Sequence, residues 1–114
     1  MDKKRILLID DEEGMCRMME AVLLDSGYAV KSYTRSVEAV EDFQAGLFDL
    51  VVTDIKMPEM DGLTVLQRLK EKDPSLPVIV ISALPPLETS IQALRRGAHD
   101  MVTKLLSPMS SSIE

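Results

Sequence analysis

The sequence predicts an α/β fold, a doubly wound five-stranded parallel sheet. Three observations carry that reading. The runs ILLI (6–9), LVV (50–52) and VIVI (78–81) are short, continuous and rich in β-branched residues, as strands covered on both faces should be. Helical apolar spacings alternate with these runs, which is the β-α-β order of a parallel sheet. Two further runs, AVKSY (29–33) and DMVTK (100–104), mix polar and apolar residues, as strands at sheet edges do.

The elements follow in order. After the first strand, Met15, Met18, Met19, Val22 and Leu23 fall at i, i+3, i+4, i+7 and i+8, an apolar stripe that stops at Gly27. The methionines read as packing residues rather than a metal box. In the second helix Val37, Val40 and Phe43 share a face, Ser36 is the expected N-cap and Gly46 the expected stop. The third begins after Asp61 and buries Leu63, Leu66 and Leu69 before DPSLP breaks it. The fourth opens on Pro85 and Pro86, buries Leu87, Ile91 and Leu94, and ends at Gly97. Edge strands two and five around a centre of one, three and four select the flavodoxin-like order 2-1-3-4-5. After strand five only LLSPMSSSIE follows, so the last helix is expected to be short or absent.

The chain of 114 residues fits one domain, expected over 1–106 with 107–114 as a tail or the start of a final helix. With 46% hydrophobic and 28% charged residues it has material for a core. A net charge of −6 argues against nucleic-acid binding by this segment, because phosphate backbones are held by Lys and Arg clusters. The single cysteine, Cys16, excludes an intramolecular disulfide and suits a reducing cytoplasm; it reads as a helix residue rather than a reactive thiol. No apolar stretch is long enough for a membrane helix, and none resembles a signal peptide. His99, in GAHDM before an edge strand, reads as a solvated loop residue rather than a phosphodonor.

The polar residues that close the strands point to function. Asp10 and Asp11 follow strand one, Asp54 strand three, Ser82 strand four and Lys104 strand five. All five lie at carboxyl ends of parallel strands, where open α/β sheets place their ligands. Singly, each has a plain reading: a helix cap, a turn hydroxyl, a solvated edge charge. Together they make a chemical set. Three converging carboxylates repel one another unless a cation neutralises them. Mg²⁺ suits such oxygen ligands and keeps waters. Asp54 then remains ionised and competent to attack phosphorus, with Lys104 and the cation opposite the transferring charge and Ser82 offering a hydroxyl.

The stretches LLIDDEE, VVTDIKMPEMDG, VIVISA and GAHDMVTK resemble the bacterial response-regulator receiver domain over residues 4–104, and IQALRRGAHDMVTK is most similar to receivers of AAA+ transcriptional activators. The resemblance implies Asp54 as phosphoacceptor, with Asp11, Asp54 and the backbone carbonyl of Lys56 as Mg²⁺ ligands and Asp10 assisting through water. It implies Ser82 as switch hydroxyl, Lys104 as phosphate-pairing lysine, Ala83 as the small residue that leaves the site open, and Met101 at the second switch position. Met57-Pro58 and Asp61-Gly62 match the family's turn into helix three. Two residues depart from the family pattern: Leu105 stands where Pro usually follows the lysine, and Met101 where an aromatic ring is usual.

The expected function is a cytoplasmic signalling switch in a two-component system. A partner sensor histidine kinase phosphorylates Asp54, and the loops of Ser82 and Lys104 then carry the change to helix four and strand five. The resemblance allows a homodimer and DNA binding only through a further domain. The chain is not expected to turn over external substrates: aspartyl-phosphate hydrolases need an acid two residues after the nucleophile, and Lys56 stands there. The alternatives are a receiver-like interaction module that works without phosphorylation and, behind it, a Mg²⁺-dependent aspartyl-phosphate hydrolase.

Overall fold

The computed structural model describes residues 3–82, 91 and 94–103, the last three by their backbone. The strands are β1 Arg5–Ile9, β2 Ala29–Tyr33, β3 Leu50–Asp54, β4 Val78–Ser82 and β5 Asp100–Thr103. All pair in parallel, in the order β2-β1-β3-β4-β5. The expected tail over 107–114, and with it any final helix, lies outside the described residues.

The helices between the strands are α1 Glu13–Asp25, α2 Ser36–Asp42 and α3 Gly62–Lys72. Ile91, Leu94 and Arg95 also have helical backbone. Gly27, Gly46 and Gly97 take φ of 98°, 83° and 101°, the left-handed conformation that ends helices and that a side chain would oppose.

The register between β1 and β3 decides the site. Ile6 lies beside Leu50, Leu8 beside Val52 and Ile9 beside Thr53, which brings the residue after β1, Asp10, alongside the last residue of β3, Asp54. Side chains alternate along a strand, so Asp10 follows Ile6 and Leu8, and Asp54 follows Leu50 and Val52, onto the same face.

That face is covered by α1 and holds Ile6, Leu8, Cys16, Val52 and Ile81. The opposite face, under α2 and α3, holds the larger cluster, including Leu7, Ile9, Val51, Val65, Leu66, Leu69 and Val80. At about 1.5–3 kcal/mol for each large apolar side chain buried, this second cluster contributes most of the core among the described residues.

Three expectations fail in detail. The α1 stripe is displaced by one residue: Cys16, Met19 and Leu23 pack on the sheet, whereas Met18 is 54% and Val22 59% exposed. Two apolar lines run side by side on this helix, and spacing alone cannot tell which faces the sheet. Ser36 is not the N-cap of α2; Arg35 holds that position without a side-chain cap bond, and the Ser36 hydroxyl accepts a hydrogen bond from the Met60 amide instead. Ile91 and Leu94 are exposed, not buried. Apolar spacing marked their helix face, but nothing among the described residues covers it. Leu87 lies outside those residues.

Candidate functional site

The site grows out of two strand ends. Beyond β1, the Asp10 amide still donates to the Tyr33 carbonyl at 3.1 Å, so the ladder with β2 runs one residue past the strand. The buried Asp10 side chain then turns the chain: its Oδ1 accepts the Glu12 amide at 2.9 Å just before α1 begins. This is the tight turn that Asx residues favour. Glu12, not Asp10 or Asp11, is the helix N-cap. Asp11 is exposed beside it.

Asp54 is 8% exposed and ends β3. The amide of Ile55 donates both to the Ile81 carbonyl at 3.0 Å and to Asp54 Oδ1 at 2.8 Å, a shared bond that fixes the carboxylate over its own turn. Thr53, fully buried, donates its hydroxyl to the Asp54 carbonyl at 3.0 Å. One oxygen from each of Asp10, Asp11 and Asp54 can be chosen so that all lie within 4.8 Å of one another. That spacing is within reach of a single hard cation with oxygen ligands, so the donor set fits Mg²⁺.

The turn after Asp54 is tightly built. Ile55 and Met57 are buried, Lys56 is exposed, and the Gly62 amide closes the turn on the Ile55 carbonyl at 2.8 Å. A Cβ at Gly62 would run into the Asp54 carbonyl oxygen and lie 2.6 Å from Ile55 Cα, both backbone atoms that cannot swing aside. Asp61 caps α3 by accepting the Thr64 amide at 2.9 Å.

Of the residues expected at the site, Asp10, Asp11 and Asp54 come together. Ser82 is buried at the end of β4, one residue beyond Ile81, which pairs with Asp54. The backbone of Met101 pairs with Val80. Lys104, Ala83 and Leu105 lie outside the described residues. His99 is exposed, its amide donating to the Val78 carbonyl at 2.7 Å. Cys16 is buried, and burial pushes its thiol above the usual range, against a reactive thiolate.

Sequence reasoning missed two features here. One is the steric need for glycine at 62, signalled only by a glycine at the first position of a helix, where it is a poor former. The other is the contact from α2 to the turn, through Ser36 and through Arg35, whose guanidinium grips the Glu59 carboxylate at 2.7 and 3.3 Å. That pairing holds the Glu59 carboxyl below its usual range.

The chain is thus a flavodoxin-like domain with an acidic cluster at the ends of its first and third strands. The family model described as "Response regulator receiver domain" matches residues 6–110, and the chain belongs to that family. It is 38% identical over 101 residues to the transcriptional regulatory protein ZraR of Klebsiella oxytoca, covering 89% of this chain and 23% of that one. The chain therefore spans about a quarter of such a relative. Among solved structures it matches a response regulator receiver domain protein from Clostridium thermocellum at 29% identity and TM-score 0.83, over 96% of this chain and 89% of the other. It also matches the beryllofluoride-activated NtrC4 receiver domain dimer at 29% identity and TM-score 0.82, over 96% and 90%.

Proposed function

We propose that the chain is a Mg²⁺-dependent phosphoacceptor, with Asp54 receiving the phosphoryl group from a partner sensor histidine kinase. The observation that carries this is the cluster of Asp10, Asp11 and Asp54 at the ends of two adjacent parallel strands. A carboxylate oxygen of Asp54 attacks phosphorus, the phosphorus–nitrogen bond to the kinase imidazole breaks, and that nitrogen leaves with the bonding electron pair. Asp11, Asp54 and the Lys56 carbonyl would hold Mg²⁺, with Asp10 acting through water, and the cation would supply charge neutralisation for the phosphoryl oxygens.

The chain's own groups do the rest. The shared Ile55 amide orients Asp54, and the closed 55–62 turn keeps its backbone from yielding. The phosphoryl group adds about −1.5 to −2 charge and three acceptor oxygens. Ser82 turns inward to donate to one of them and Lys104 pairs with another, drawing the loops after β4 and β5. The exposed Ile91 and Leu94 lie on the proposed output face, and the NtrC4 neighbour supports dimerisation of the activated form. The receiver unit is placed at 1–106, in the cytoplasm, with any DNA binding left to a downstream domain such as the quarter-length coverage of ZraR leaves room for. No helix among the described residues is long and apolar enough to cross a membrane.

Acetyl phosphate with Mg²⁺ tests the reading by intact mass. The protein should gain one phosphoryl group, Asp54→Asn should gain none, and chelation should abolish the gain. An unmodified wild-type protein would sink the proposal and leave a phosphorylation-independent interaction module.

A further inference from the structure

The Lys56 carbonyl sits in a turn with two differently held halves. Its inner half is fixed by the sheet and by α3: the Ile55 amide bonds the Ile81 carbonyl, the Gly62 amide bonds the Ile55 carbonyl, and Met57 is buried in the core. Its outer half, Glu59 and Met60, is met by two consecutive residues at the start of α2. Arg35 grips Glu59 through two nitrogens, and Ser36, 2% exposed, accepts the Met60 amide at 3.1 Å. Residues 35 and 36 thus engage 59 and 60 in step, a two-point clasp between elements 24 residues apart.

The two points differ physically. Ser36 is held by packing, since α2 is rooted by Ala39 and Val40 in the larger core cluster, so its hydroxyl is a fixed acceptor. Arg35 and Glu59 are exposed, and such pairs contribute little to stability. Their bidentate geometry adds direction instead, setting the angle at which the turn meets α2. A clasp of this kind matters most to a ligand that demands near-ideal geometry, and Mg²⁺ tolerates less distortion than Ca²⁺.

We propose that Ser36 and Arg35 are positioning residues for the cation site, holding the 56–60 turn so that the Lys56 carbonyl stays aligned with Asp11 and Asp54. This rests on the Mg²⁺ reading given above. Neither residue touches the cation or the phosphoryl group, and both act through the backbone of the turn.

The test is a Mg²⁺ titration of the 114-residue chain followed by amide NMR, with thermal unfolding of each variant measured without Mg²⁺. Ser36→Ala should raise the Mg²⁺ Kd about tenfold, the size of effect expected when a supporting partner of a metal ligand is lost. Arg35→Ala and Glu59→Gln should each raise it by a smaller factor and alike, while the unfolding temperature stays near wild type. Should Ser36→Ala not fold, the two surface variants decide. Wild-type affinity in folded variants overturns the clasp, and so does a loss of affinity that merely tracks the unfolded fraction. A wild-type protein that does not bind Mg²⁺ at all instead overturns the phosphoacceptor reading, and the clasp with it.

Discussion

The two faces of the sheet are built differently. Among the described residues, the face under α2 and α3 gathers fifteen buried apolar residues, from Leu7 to Ala98, whereas the α1 face gathers five. The acidic side chains follow the thinner face, in line with Ile6, Leu8 and Val52. The backbone that carries them is anchored in the thicker one, through Ile55 and Met57. Among the described residues, chemistry and support are thereby divided: the carboxylates project from the face with fewer buried apolar side chains, and their turn is rooted in the face with more.

The contrast can be broken first at its strongest point. Leu66→Ala, on the dense face and fully buried, should destabilise the protein by about 3 kcal/mol in urea unfolding, and by more than Leu8→Ala, the same truncation on the thin face. Equal losses would mean that the two faces are equivalent. Gly62→Ala comes next. Its Cβ has no room between Asp54 and Ile55, so the start of α3 or the turn must shift, at about 2 kcal/mol. Amide shifts concentrated at residues 54–62 would locate the strain in the turn; a silent substitution would contradict the close approach.

The smallest effect sharpens the thin face by pH. Burial, with Asp10 and Glu20 nearby, raises the Cys16 thiol above its ordinary value of 9.0, partly offset by a hydrogen bond with Ser32. A raised folded-state value means that the contribution is whole below the unfolded value and is lost as pH climbs through the folded one. Stability should therefore decline above pH 9.0, and Cys16→Ala should flatten that decline. Tyr33, raised chiefly by partial burial and then by its bond to Asp42, adds a loss of the same sign at higher pH that the variant retains.

Much of this was legible in the sequence because the signals were local. AVKSY is β2 residue for residue, and the apolar runs at 6–9, 50–52 and 78–81 lie inside their strands. Asp10, Asp11 and Asp54 could be brought together on paper because sheet order and strand ends alone place them. What escaped depends on contacts between distant segments. The line of α1 that meets the sheet, Met19 and Leu23 beside Cys16, was chosen by packing on the cluster of Ile6, Leu8, Val52 and Ile81, not by spacing. Ser36 carries a typical capping side chain, yet the half-buried Met60 amide 24 residues away competes for its hydroxyl and wins. Glycine at 62 looked like one element of a motif until the Asp54 carbonyl was found against it.

The pairing of β1 with β3 has one more consequence. A strand pair that slips by one residue stays hydrogen-bonded but turns its side chains to the opposite face. Here such a slip would part Asp10 from Asp54 while leaving most of the ladder intact. Competence at these carboxylates therefore proofreads the fold: a misthreaded copy could look folded to spectroscopy and still be chemically blank.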